Sequence, residues 1–139
     1  MININKIMFY GRYFDDEDNK YEISWWLCVD DYEIYHIETL FSEYSYESIS
    51  EIEETSNFVP LFKTDILQLE KEFIKKLNNK TLLNSFSKIL LANSDSYDVA
   101  FRVFIEREFL VDYWSEFEKS QLQKDAIAWC KQNHIPYTM

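Results

Sequence analysis

Hydrophobic and polar positions alternate along the first sixty residues of the chain and then recur at three- and four-residue spacing towards the C-terminus. The segments "IMFYGRYF", "YEISWWLCV" and "YEIYHIETL" concentrate Ile, Tyr, Phe, Trp and Val, side chains that suit a pleated surface, and predict three strands. Between the first two lies "DDEDNK", Asp15–Lys20, a polar cluster suited to a hairpin loop, and "DDYE" after Val29 turns the chain again. The expected arrangement is an antiparallel meander. In the third segment Ile34, His36 and Glu38 alternate with Tyr35, Ile37 and Thr39, and because both sets are mixed the inward face stays open. "FSEYSYESISEIEETSN", Phe41–Asn57, predicts an acidic surface loop containing a short helical turn.

From Val59 onward the period changes to about 3.6, with the change starting around Pro60 and Thr64. Thr64 is the expected N-cap of "DILQLEKEFIKKLNN", whose Ile66, Leu69, Phe73 and Leu77 form one apolar stripe, with Asp65 early and Lys75 and Lys76 late to complement the helix dipole. "TLLNSFSKILLA" predicts a second helix ending near Asn93. "SYDVAFRVFIERE" predicts a third, started by Ser94 or Ser96, with Val99, Ala100, Phe101 and Phe104 inward. The last runs from about Leu110 to Asn133, and Gln121 and Asp125 interrupt its stripe, so a break is expected near Ser120. The fold class is therefore α+β: an N-terminal antiparallel sheet of about three strands packed on about four C-terminal helices. A length of 139 residues suits one domain, 1–139, strand-rich over residues 1–60 and helical over residues 61–139.

Composition supports a packed core, with 47% hydrophobic and 18% aromatic residues. One glycine and two prolines leave no glycine-rich turn to cradle a phosphate, which excludes the Walker-type and dinucleotide-binding patterns. Charge divides unevenly. Residues 1–60 carry fourteen acids and three bases, residues 61–139 eleven of each, so the whole net charge of −11 belongs to the strand-rich segment. A surface of that sign repels nucleic acid and anionic membranes and speeds encounter with a basic protein. The N-terminus shows no basic n-region or cleavage site, and no apolar run approaches the roughly 20 residues that cross a bilayer, so a cytoplasmic protein is expected.

Candidate chemistry is sparse. Cys130 and His134 stand at i, i+4, a spacing that can place a thiolate and an imidazole on one metal, and Cys28 with His36 would complete a Cys₂His₂ set. The paired-cysteine signature of structural zinc is missing and Cys28 lies in a strongly apolar segment, so reduced, buried thiols and no metal are expected. The acidic groups "DDED", Asp30 with Asp31, and Glu51, Glu53 with Glu54 lack the spaced loop of an EF-hand and read as solvated surface. Arg102 beside aromatic residues has the chemistry to clamp a carboxylate or phosphate, but Glu106 at i+4 offers an internal partner. No cofactor is implied.

The helical segment also carries a resemblance. Ala100, Phe101, Arg102 and Phe104, then Leu110, then Trp114 with Phe117, then Ala126 with Trp129, and Asn133 with Ile135 form a pattern that resembles the bacterial uncharacterised protein family one-five-eight. Weaker similarity extends through "FVPLFKTDILQLEKEFIKKL" and "WWLCVDDYEIYHIE". Asp98 and Val99 depart from it, standing where that family usually has a glycine. The resemblance implies an α+β fold without assigned catalysis. Read on their own, the aromatic residues of this pattern lie at spacings that pack helices together.

Two classes of function stand ahead of catalysis. The first is a non-enzymatic protein-binding inhibitor of the immunity-protein or antitoxin kind, directed at a basic partner. Its expected interface is Asp30, Asp31, Tyr32, Glu33, Tyr35, Tyr44 and Tyr46, aromatic anchors among steering charges. The second is an accessory or regulatory domain in which the acidity serves only solubility.

Overall fold

The computed structural model describes residues 1–12, 23–55 and 57–139. Among them are seven helices and five short strands in two compact units, residues 1–64 with 122–139, and residues 65–121. The fold is α+β. The hairpin loop expected at Asp15–Lys20 lies outside the described residues.

The first unit opens with β1 (Ile2–Asn3), which pairs in parallel with β5 (Tyr137–Thr138), and continues into α1 (Ile4–Arg12). Over residues 7–12 this helix stands where the strand "IMFYGRYF" was expected; the rest of that segment lies outside the described residues. Ile4, Ile7, Met8 and Gly11 recur at three- and four-residue spacing and are all buried, whereas Asn5 and Phe9 face solvent. The chain's one glycine serves close packing there: a Cβ on Gly11 would come within 2.5 Å of the Phe62 ring.

The three-stranded sheet has the order β3 (Ile34–His36), β2 (Trp25–Cys28), β4 (Phe58–Pro60), antiparallel throughout. Two of its strands lie within segments expected to be extended. The third, β4, comes from the stretch where helical periodicity was expected to begin. Central β2 pairs Trp26 with Tyr35 on one side and with Pro60 on the other.

Both faces of this sheet are covered, which explains the unbroken apolar run "WWLC". Leu27 packs in a core with Ile4, Ile7, Leu61, Leu122, Ala126, Trp129 and Cys130, joined by Trp25, Ile34 and Val59. On the opposite face Trp26, Cys28 and Phe58 pack with Ile37, Leu40 and Ile52. Those last three come from β3's continuation, α2 (Ile37–Glu43), and from α3 (Ile49–Glu54). His36 ends the third strand early because its imidazole accepts from the Glu38 N–H and caps α2. Ser48 caps α3 by accepting from the Glu51 N–H, so the acidic stretch after Phe41 holds more helix than one turn.

The second unit contains α4 (Ile66–Leu77), α5 (Lys80–Ala92), α6 (Tyr97–Arg107) and the first half of α7 (Val111–Gln132), making four helices after Thr64 as expected. Asp65, not Thr64, caps α4 through the Gln68 N–H. Asn79 caps α5 and Ser96 caps α6. Phe73, Phe86, Phe101, Phe104 and Trp114 form its aromatic core, with Phe101 and Trp114 ring centroids 4.8 Å apart. Val99, expected inward, is exposed.

No break occurs near Ser120: α7 is one continuous helix. Its buried positions simply change. Trp114 and the half-buried Phe117 serve the core of the second unit, while Leu122, Ala126, Trp129 and Cys130 serve that of the first. The Trp129 indole donates to the Pro60 carbonyl at 2.9 Å, anchoring α7's last turns to β4. No helix among the described residues is long and apolar enough to cross a membrane.

Candidate functional site

The β2–β3 turn is held by its own acid. Asp31 accepts the Glu33 N–H at 2.9 Å on Oδ1 and the Tyr35 hydroxyl at 2.6 Å on Oδ2. Those bonds, the phenol's first, hold the Asp31 carboxyl below the usual carboxylate range, and the same contact, followed by the neighbouring Tyr44 phenol, raises the Tyr35 hydroxyl above its ordinary value. Tyr32 takes a left-handed φ of 57° inside this turn, where its N–H donates to the Cys28 carbonyl.

Around Tyr35 the structure gathers an aromatic cluster from three separate elements. Tyr44 ends α2 and Tyr46 follows it, reached through the left-handed Ser45. Phe58 on β4 is the buried hub: its ring centroid lies 6.1 Å from Tyr35, 5.8 Å from Tyr44 and 5.9 Å from Tyr46, each edge to face. Tyr35 and Tyr44 are 5.6 Å apart. Tyr44 is 46% exposed, and Tyr35 and Tyr46 are half-buried, so the cluster presents phenol edges to solvent over an apolar base.

Four of the seven residues expected in the interface thus converge: Asp31, Tyr35, Tyr44 and Tyr46. The other three are placed differently. Asp30 is exposed beside Asp31 in the turn. Glu33 pairs with Lys6 of α1 at 2.7 Å. Tyr32 packs against the core on the opposite sheet face, beside Ile34 and Leu27, and so contributes to folding there. Phe58 was not foreseen, because its strand was not.

The cysteine and histidine set does not assemble. Cys28 and Cys130 are free, buried and in different cores, and His134 is exposed in a left-handed turn after α7. Burial pushes the Cys130 thiol up to about 11. Among the described residues no three His, Cys, Asp or Glu side chains stand where they would hold a metal ion.

A second constellation lies in the helical unit. Arg102 donates from Nε to Asp98 Oδ2 at 3.2 Å, so its partner lies one turn back and not at Glu106. Asp98 neighbours Glu70 of α4, a carboxyl only 1% exposed whose Oε1 has no hydrogen-bond partner. Burial first, then the hydrogen bond and negative charge of Asp98, push Glu70 up to about 8, against the pull of Arg102; the buried Glu118 adds to the push. The opposite directions of the two shifts favour a proton on Glu70 and a charge on Asp98 at neutral pH. The sequence contained a signal for Glu70: it occupies a core-facing position, between Leu69 and Phe73, on an otherwise apolar stripe. No family model, curated protein or solved structure matches this chain.

Proposed function

We propose that the acidic, tyrosine-bearing end of the first unit binds a basic protein, and that the chain works as a non-catalytic inhibitor of the immunity-protein or antitoxin type. The observation that carries this reading is the gathering of Tyr35, Tyr44 and Tyr46 on Phe58 beside the acids of the β2–β3 turn. Rigid aromatic anchors lose little conformational freedom on binding, and surrounding charge sets partner and on-rate. The unit that bears them holds fifteen acids and six bases. Asp31 has a prior role in its own turn, so the steering charge falls to exposed neighbours such as Asp30 and Glu43.

Affinity capture from lysate of the source organism at low and high salt tests this, comparing the wild-type chain with Asp30→Lys/Glu43→Lys and with Tyr44→Ala. The expected result is a basic protein retained at low salt, released at high salt, and retained poorly by both variants although they remain folded. Equal retention by wild type and variants would remove the interface. Retention of no stoichiometric protein in either wash would favour the alternative, an accessory or regulatory domain of the family that Ala100–Ile135 resembles.

A further inference from the structure

The helical unit carries a groove of about 390 Å³ that the proposed interface does not involve, lined by Phe73, Lys76, Leu77, Leu110, Tyr113 and Phe117. Its volume falls at the lower end of the ~300–1,000 Å³ typical of small-molecule sites. Four of the six lining side chains are purely apolar, and Phe73 and Leu110 are themselves core residues, so the floor is rigid. Tyr113, 66% exposed, brings a hydroxyl to the wall.

One lining group is charged, and it is a cation. The Lys76 ammonium lies 5.0 Å from the centroid of the Phe117 ring, and among the described residues it has no carboxylate partner. We propose that this groove binds a single-chain carboxylate, with the hydrocarbon tail among Phe73, Leu77, Leu110 and Phe117 and the carboxylate at Lys76 and the Tyr113 hydroxyl. The ring beneath the ammonium already removes part of its water, so an anion arriving there makes a charge-assisted hydrogen bond at reduced desolvation cost. The lining also rejects other classes. A sugar or nucleotide would bury hydroxyls and amides against apolar walls without partners, and a phosphate dianion would face a single cation. A neutral hydrocarbon would gain the apolar burial but leave Lys76 unused.

Decanoate and decanol, which differ in the head group alone, are the probes. Calorimetric titration of the full chain below the micellar concentration, with methyl chemical shifts of Leu77 and Leu110 as the site-specific readout, measures both. Decanoate is expected to bind about tenfold more tightly than decanol and to shift both methyl groups. Lys76→Met keeps the apolar stem and should remove that tenfold difference while leaving decanol affinity unchanged. Leu77→Trp should fill the groove and abolish binding of both probes, its fold checked by circular dichroism. Binding of neither probe, equal binding of the two to the wild-type chain, or shifts confined to residues outside the groove would overturn the proposal. Its failure leaves the protein-binding reading of the first unit untouched, because no residue is shared.

Discussion

Glu70 is a carboxyl in a position that α4 reserves for apolar side chains, and its proton makes that burial tolerable. Its ordinary value is 4.5 and in the folded chain it is pushed up to about 8, so between those limits the native state holds a proton that the unfolded state has released. The stabilisation from that proton is present in full below about pH 4.5 and is lost as pH rises through the window towards 8. Asp98 is shifted the other way, and its effect falls at more acid pH, outside this window. Glu70→Gln introduces an amide that can donate to Asp98 without titrating. Urea unfolding at pH 5, 6.5 and 8 should show the wild-type chain losing roughly 1–3 kcal/mol relative to the variant across that range. Parallel pH profiles for the two proteins would mean that Glu70 does not hold its proton.

Among the elements, the helix ends show how a chain with one glycine closes its turns. Among the described residues five that are not glycine take left-handed φ: Tyr32, Ser45, Asn78, Phe109 and His134. After α6 the Leu110 N–H reaches the Ile105 carbonyl and the Phe109 N–H reaches that of Glu106, a Schellman closure with phenylalanine where glycine is usual. The Phe109 side chain is 88% exposed, so little packing offsets the strain. Phe109→Gly should therefore stabilise the fold by about 1 kcal/mol, whereas Phe109→Ala, equally disfavoured in that conformation, should give no such gain. Denaturant midpoints that rise equally in both variants would place the effect in the lost ring and not in the backbone. The same element scale explains what the sequence could and could not reveal. The helices α4 to α6 were legible from their apolar stripes, whereas α7 was placed but its continuity was not, because its buried positions pass from one core to the other at Gln121. The helix α1 was not, since its residue types favour strands even though Ile4, Ile7, Met8 and Gly11 repeat helically. At three residues, β4 is too short for any period, and with it went Phe58, the centre of the tyrosine cluster. Tyr35, Tyr44 and Tyr46 could be nominated by type and charge alone. That Tyr32 turns to the other sheet face depends on a turn conformation that composition does not encode.

At the scale of the whole molecule the charge is unevenly distributed. The helical unit holds ten acids and eight bases, close to balance, while the first unit holds an excess of nine acids. A net charge of one sign destabilises a compact state through self-repulsion, and the ion pair of Lys6 with Glu33, which links α1 to the β2–β3 turn, is solvent-exposed and worth at most about 1 kcal/mol. Salt should consequently act with opposite signs on two properties of this chain. Raising sodium chloride from about 20 to 500 mM shortens the Debye length from roughly 20 Å to about 4 Å, relieving self-repulsion and raising the thermal midpoint. The same screening should remove the steering of the proposed basic partner and slow its association. Substituting Asp30 and Glu43 by lysine should reproduce both effects at low salt: a midpoint no lower than wild type and a slower on-rate. A midpoint that falls with salt would show that attractive pairs outweigh repulsion in the first unit. Its acidity would then belong to the stability of the fold, and the proposed recognition would rest on the tyrosines alone.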